Sequence, residues 1–192
     1  MKGYRRADPA FSLCGLCCGL CPMHRGGHCP GCGGGEGHQP CRFTRCAKER
    51  RIEYCCFCEA YPCGEYRGAA DWDSFVTHQN MLRDLARAKE IGIPAYLAEL
   101  DERAGILRWL LEHCNDGRRK NFFCLAVNLL DLPQLHAAVK QLSAANAADT
   151  RPPERAEKAV SLLSRAAARQ GILLKLRKRP KKTAGRPSEE GD

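Results

Sequence analysis

Cysteine pairs separated by two residues occur four times near the start of this chain: Cys14/Cys17, Cys18/Cys21, Cys29/Cys32 and Cys55/Cys58. Two intervening residues let the backbone turn tightly, so that both sulfurs can face one metal ion. Backbone N–H groups of the same turn can then donate to the sulfurs. The run Cys29-Pro-Gly-Cys32-Gly33 has the form of a zinc-ribbon or rubredoxin knuckle. One such pair is a weak signal, but four pairs with Cys41, Cys46, Cys56 and Cys63 close by are a strong one. Twelve of the fourteen cysteines lie between Cys14 and Cys63, so the excess is a local device.

Disulfides are the competing use for so many thiols, and compartment decides between the two. The first residues hold no apolar stretch of the kind a secretion signal needs. No segment approaches the ~20 apolar residues of a membrane span. The expectation is a cytoplasmic chain with reduced thiols and no membrane partner.

Read in order, Cys14-Gly-Leu-Cys-Cys18-Gly-Leu-Cys21-Pro, Cys29-Pro-Gly-Cys32, Cys41, Cys46-Ala and Glu53-Tyr-Cys55-Cys-Phe-Cys58-Glu-Ala-Tyr-Pro-Cys63 form an ordered series. A later stretch, Asn115-Asp-Gly-Arg-Arg-Lys-Asn-Phe-Phe-Cys124-Leu-Ala-Val-Asn, follows it. Together they resemble the uncharacterised family known as domain of unknown function 3795, in its longer members. The resemblance covers about residues 10–145. It implies Cys14, Cys18, Cys21, Cys29, Cys32, Cys41, Cys46, Cys55, Cys58 and Cys63 as the metal-binding set. Cys17 and Cys56 stand where that pattern does not ask for cysteine, as extra ligands or reactive thiols. The family has no settled activity, so the resemblance adds no substrate.

Two metals compete. Cys14, Cys18 and Cys21 put three sulfurs on one short loop, which suits an iron–sulfur cubane, and Cys–Pro steps at Cys21 and Cys29 match those of ferredoxins. The Cys29/Cys32 knuckle suits zinc, the commoner structural metal. The loop tips the expectation slightly toward an iron–sulfur cluster. Radical S-adenosylmethionine enzymes share the three-cysteine spacing, but they need a large α/β barrel. This chain has no alternating strand and helix pattern.

The elements that must position these residues fall into four parts. Residues 1–67 form an irregular lobe, rich in Gly, Pro and Cys, that must be stapled by metal because it buries too little apolar surface. Within it, Thr44 to Tyr54 reads as a short basic helix. Residues 68–148 read as a bundle of about four helices. One is capped by Asp73 or Ser74 and ends at Gly92. The next starts at Ile93-Pro94 and carries Leu97, Leu100, Ala104, Leu107, Leu111 and Cys114 on one face. Asn121 to Leu130 is apolar on nearly every side and reads as buried. A fourth, capped by Asp131, carries Leu132, Leu135, Val139 and Leu142. Residues 149–177 are a linker and a last helix from Glu154 to about Arg177. Residues 178–192 read as a basic, disordered tail. The fold expected is mainly α.

Net charge is +4 over residues 1–67, −2 over 68–150 and +7 over 151–192. Thiolate sites of 2− each would bring the first part to neutrality. A nucleic-acid footprint is therefore confined to the tail, where Lys178 to Pro187 resembles a minor-groove hook with Ala184 in place of the expected Arg.

Other candidates have plain readings. His24, His28 and His38 lie among the cysteines and read as loop groups. Cys114, Cys124, Trp72 and Trp109 read as core. Arg118-Arg119-Lys120 read as a solvated turn before the Asn121 helix. No catalytic triad, phosphate loop or dinucleotide fingerprint is present, and no residue is assigned a catalytic role. The functional expectation is a redox or cluster-carrying protein with a protein partner. The alternative is a zinc-stabilised module that binds protein or nucleic acid.

Overall fold

Apolar residues spaced three and four apart dominate the chain beyond residue 80, and there the backbone is helical. The computed structural model describes residues 4–36, 41–145 and 151–180. Among these lie seven helices: α1 (Pro22–Arg25), α2 (Arg42–Arg50), α3 (Met81–Ile91), α4 (Ile93–His113), α5 (Lys120–Leu129), α6 (Leu132–Ala145) and α7 (Pro152–Arg169). The described residues contain no strand, only a single bridge between Arg5 and Gly34. The chain is mainly α, as its periodicity implies.

Helix α4 is the spine and packs on α3, α5, α6 and α7. It buries Tyr96, Ile106 and Leu110 besides Leu100 and Leu107, so its buried surface is wider than the single expected face. Helix α5 is buried at every position from Phe123 to Leu129, the inner element its composition implies. Its last carbonyls have no helical partners of their own. Arg103 of α4 fills that need, with Nη1 donating to the carbonyls of Val127 at 2.7 Å and Leu130 at 2.6 Å. Asn80 adds a third tie, donating to the Asn128 carbonyl at 2.9 Å.

Three helices differ from expectation: the basic helix expected over Thr44 to Tyr54 runs instead over Arg42–Arg50, closed by Arg51 at φ 54°, and two further boundaries move. Asp73 does not open a helix, and α3 starts at Met81. The Asp73 carboxylate is spent on a loop instead, accepting from the N–H groups of His78 and Arg177, both at 2.7 Å. The last helix ends at Arg169 rather than near Arg177. Gly171, at φ +66°, takes the left-handed conformation that closes a helix. The N–H of Ile172 then reaches back to the Ala167 carbonyl at 2.9 Å, and that of Gly171 to Ala168 at 3.1 Å. Residues 172–180 run on as a non-helical strap, held where Asp73 N–H donates to the Arg177 carbonyl at 2.7 Å. Residues 178–180 of the tail expected to be disordered belong to this strap, and residues 181–192 lie outside the described ones, as do 146–150 of the linker region and His38.

The cysteine-rich part does not stand apart from the bundle. Phe11, Leu13 and Leu20 belong to the same core cluster as Leu85, Tyr96, Leu107, Phe123 and Leu163. Phe11 lies against Tyr54 at 5.5 Å and Tyr96 at 4.6 Å between ring centroids, joining both parts.

Candidate metal centre

The cysteine pairs turn as their spacing requires. Cys18–Leu20 and Cys55–Phe57 are 3₁₀ turns, closed by Cys21 N–H to the Cys18 carbonyl at 2.9 Å and Cys58 N–H to the Cys55 carbonyl at 3.0 Å. The knuckle at Cys29–Gly34 is held against the N-terminal segment, with Cys32 N–H donating to Pro9 at 3.0 Å and Arg6 N–H to Gly33 at 3.0 Å.

Eight of the ten expected ligands fall into two neighbourhoods. In the first, Cys14 and Cys32 each lie within electrostatic range of Cys41, and Cys18 within range of Cys14, of Cys32 and, most weakly, of Cys21. Burial pushes the Cys14 thiol up to about 12, and the nearby Cys32 and Cys41 add to the rise. Cys18 and Cys32 are raised chiefly by burial as well. Backbone N–H groups oppose this: that of Leu16 favours the Cys14 thiolate and that of Leu13 the Cys32 thiolate. In the second neighbourhood, Cys46, Cys55, Cys58 and Cys63 line a single cavity of ≈ 20 Å³, walled by Phe43, Tyr61 and Tyr66. Burial raises Cys55 to about 11, opposed first by the nearby Tyr66 hydroxyl. Tyr66 also reaches the Cys14 carbonyl at 3.4 Å and so ties the two neighbourhoods together.

Cys21 and Cys29 are less engaged. Cys21 is buried at the edge of the first group, beside Cys124. Cys29 offers its carbonyl to His24 Nδ1 at 2.9 Å, and His24, expected in a loop, lies in the last turn of α1; His28 is exposed.

Among the described residues, no three or more Cys, His, Asp or Glu side chains stand close enough together to hold a metal ion. The thiols are turned to local partners. Cys14 Sγ lies 3.1 Å from Ser12 Oγ, and Cys41 Sγ accepts from the Thr44 N–H at 3.4 Å, capping α2. The four-sulfur lining of the second cavity nevertheless fits a soft, thiophilic ion in chemistry. Its volume is that of about one water, room for a single ion rather than a cluster.

Residues not singled out from sequence complete the setting. Arg6 is buried, with its Nη1 donating to the Phe11 carbonyl at 2.7 Å and its Nε paired with Glu53 at 3.0 Å. It lies over the Tyr54 ring at 4.7 Å and beside the Cys32 sulfur, whose charged form it favours. Its only sequence signal is an arginine next to Arg5, and nothing marks it as buried.

Cys17 and Cys56 have a different role from their neighbours. Cys17 is buried and donates to Asp84 Oδ2 of α3 at 3.3 Å, with Tyr96 Oη 3.5 Å away. Cys56 is fully buried where its turn packs on α3. Burial, then Asp84, raises the Cys17 thiol, and burial raises Cys56, so neither is an activated nucleophile. Cys114 and Cys124 are buried core residues, as expected. Trp72 is not: it is 39% exposed. Trp109 stacks on His113 at 4.8 Å. Asn115 and Asp116 side chains accept from the N–H groups of Arg119 and Arg118, which makes the expected turn before α5.

No protein-family model, curated protein or solved structure matches this chain. The resemblance to domain of unknown function 3795 rests on its motif residues alone.

Proposed function

We propose that this protein is a cysteine-ligated metalloprotein with two thiolate sites, one formed by Cys14, Cys18, Cys32 and Cys41 and the other by Cys46, Cys55, Cys58 and Cys63. The observation that carries the proposal is that all four cysteines of the second set line one ion-sized cavity. Bound metal would hold these thiols as thiolates and staple loops that have few helical hydrogen bonds of their own. Arg6 would offset part of the negative charge at Cys32, and Tyr66 would donate to Cys55, as a hydrogen bond to a metal-bound sulfur does.

A redox or cluster-carrying role is the reading that the sequence spacing of Cys14, Cys18 and Cys21 favours for the first site. The small second cavity favours the alternative, a zinc ion that only fixes the fold for binding a protein partner. Cys58 and Cys63 are half-exposed, so serine there leaves the core intact. Replacing both should remove the second site's metal and keep the first site's, read by metal analysis of the purified variants. Unchanged metal content would reject the second site.

A further inference from the structure

We propose that the cavity beside Cys14 and Cys41 binds a small phosphate ester that carries a planar ring. The cavity has ≈ 520 Å³, within the range of small-molecule sites. Its walls divide by chemistry. Leu16, Phe43, Met81 and Trp72 supply apolar and aromatic surface, and Arg42, Arg67 and Arg179 supply guanidinium groups. Among the described residues, Asp71 is the only carboxylate in the lining. With Cys14 and Cys41 counted as neutral thiols, three cations against one anion leave a balance of 2+, which suits a phosphomonoester dianion better than a single carboxylate. Guanidinium groups bind phosphate oxygens in pairs.

The aromatic half of the argument rests on Trp72. An indole that lies 39% exposed at the mouth of a cavity offers an open face for stacking. His78 is fixed as wall by contacts with the Ala69 carbonyl at 2.8 Å and Ser74 Oγ at 3.0 Å. Arg42 is held at the rim, paired with Glu65 at 3.5 Å and donating to the Arg67 carbonyl at 3.4 Å. Both partners are about half exposed, and such a pair yields easily to a phosphate.

Arg179 reaches the cavity because the strap is docked. Arg177 clamps to Asp73 and donates to the Ala70 carbonyl at 2.6 Å, two residues before Arg179. The end of the chain thus contributes a cation to a cavity floored by cysteines near its start. The inference stands on the cavity lining and does not depend on metal at Cys14 and Cys41.

Trp72 and Trp109 are the two tryptophans of the chain, so Trp109→Phe leaves Trp72 as the sole reporter. Titrating full-length Trp109→Phe protein with adenosine monophosphate should give a saturable change in Trp72 fluorescence. Adenosine alone and inorganic phosphate alone should each bind at least about tenfold more weakly. Arg67→Ala with Arg179→Ala, both exposed, should weaken binding of the monophosphate by at least about tenfold. No saturable change at millimolar monophosphate would overturn the proposal. So would equal affinity in the double variant, or phosphate binding as tightly as the monophosphate. Repeating the titration after chelation keeps this result separate from the metal reading: binding is expected to survive wherever circular dichroism shows the fold intact.

Discussion

Cys17 and Cys18 are adjacent in the chain but face different surroundings, and so do Cys55 and Cys56. Cys18 and Cys55 belong to the sulfur groups, whereas Cys17 and Cys56 turn inward toward α3. Cys17→Ala should therefore leave metal content unchanged while costing about 1–3 kcal/mol, because buried Asp84 loses its thiol donor. Metal analysis and denaturant unfolding of that variant check both halves, and loss of metal would make Cys17 a ligand. Asp84 gives a pH dependence. Burial raises its carboxyl from 3.8 to about 6, against the opposing pull of Arg83, the Cys17 donor, Arg103 and Tyr96. Below pH 4 both folded and unfolded chains hold the proton. As pH rises, the unfolded chain releases it first, so this group's contribution to stability falls until pH passes about 6. The loss amounts to about 3 kcal/mol at most. Asp84→Asn does not titrate, so its melting temperature relative to the parent should climb between pH 4 and pH 7. A constant difference would contradict the buried, protonated Asp84.

The loop that carries Cys14, Cys17 and Cys18 makes its tightest backbone approach to α3 at one glycine. Gly15 has φ +96°, and a methyl group there would meet the Met81 carbonyl oxygen at 2.0 Å. Gly15→Ala combines a left-handed backbone with an overlap that no flexible side chain can relieve. A cost of about 2–5 kcal/mol is expected by chemical denaturation, together with loss of metal from the first site. An unchanged midpoint would mean the loop does not sit against α3. Helices α4 and α6 were legible because three- and four-residue spacing and Pro94 or Pro133 mark them directly, and α5 because its run is apolar on nearly every side. The knuckles were legible from cysteine spacing. The start of α3 was not, because Asp73 looks like a helix cap, and only the strap, 104 residues away in sequence, reveals its other use. The end of α7 had a signal in Gly171 that the alanine-rich periodicity around it outweighed. Arg6 was invisible as a site residue, since its burial depends on Glu53-Tyr54 and the knuckle at Cys32 converging on it from two other segments.

One core spans the cysteine-rich part and the bundle, although their compositions differ so sharply that sequence divides them. Phe11 and Tyr96 belong to that single cluster, so removing metal should weaken the whole molecule and not the first third alone. Helical signal by circular dichroism and Trp109 fluorescence should report one coincident unfolding transition, shifted together by a chelator. Two separated transitions would restore the picture of independent lobes. The central proposal, two cysteine-bound metal sites, is tested most directly by iron, sulfide and zinc analysis of anaerobically purified full-length protein. We expect about two occupied sites per chain, as zinc at both or as zinc with an iron–sulfur cluster, with the eight grouped cysteines resistant to thiol reagents until chelator is added. Folded protein with no bound metal and every one of its accessible thiols freely reactive would contradict it.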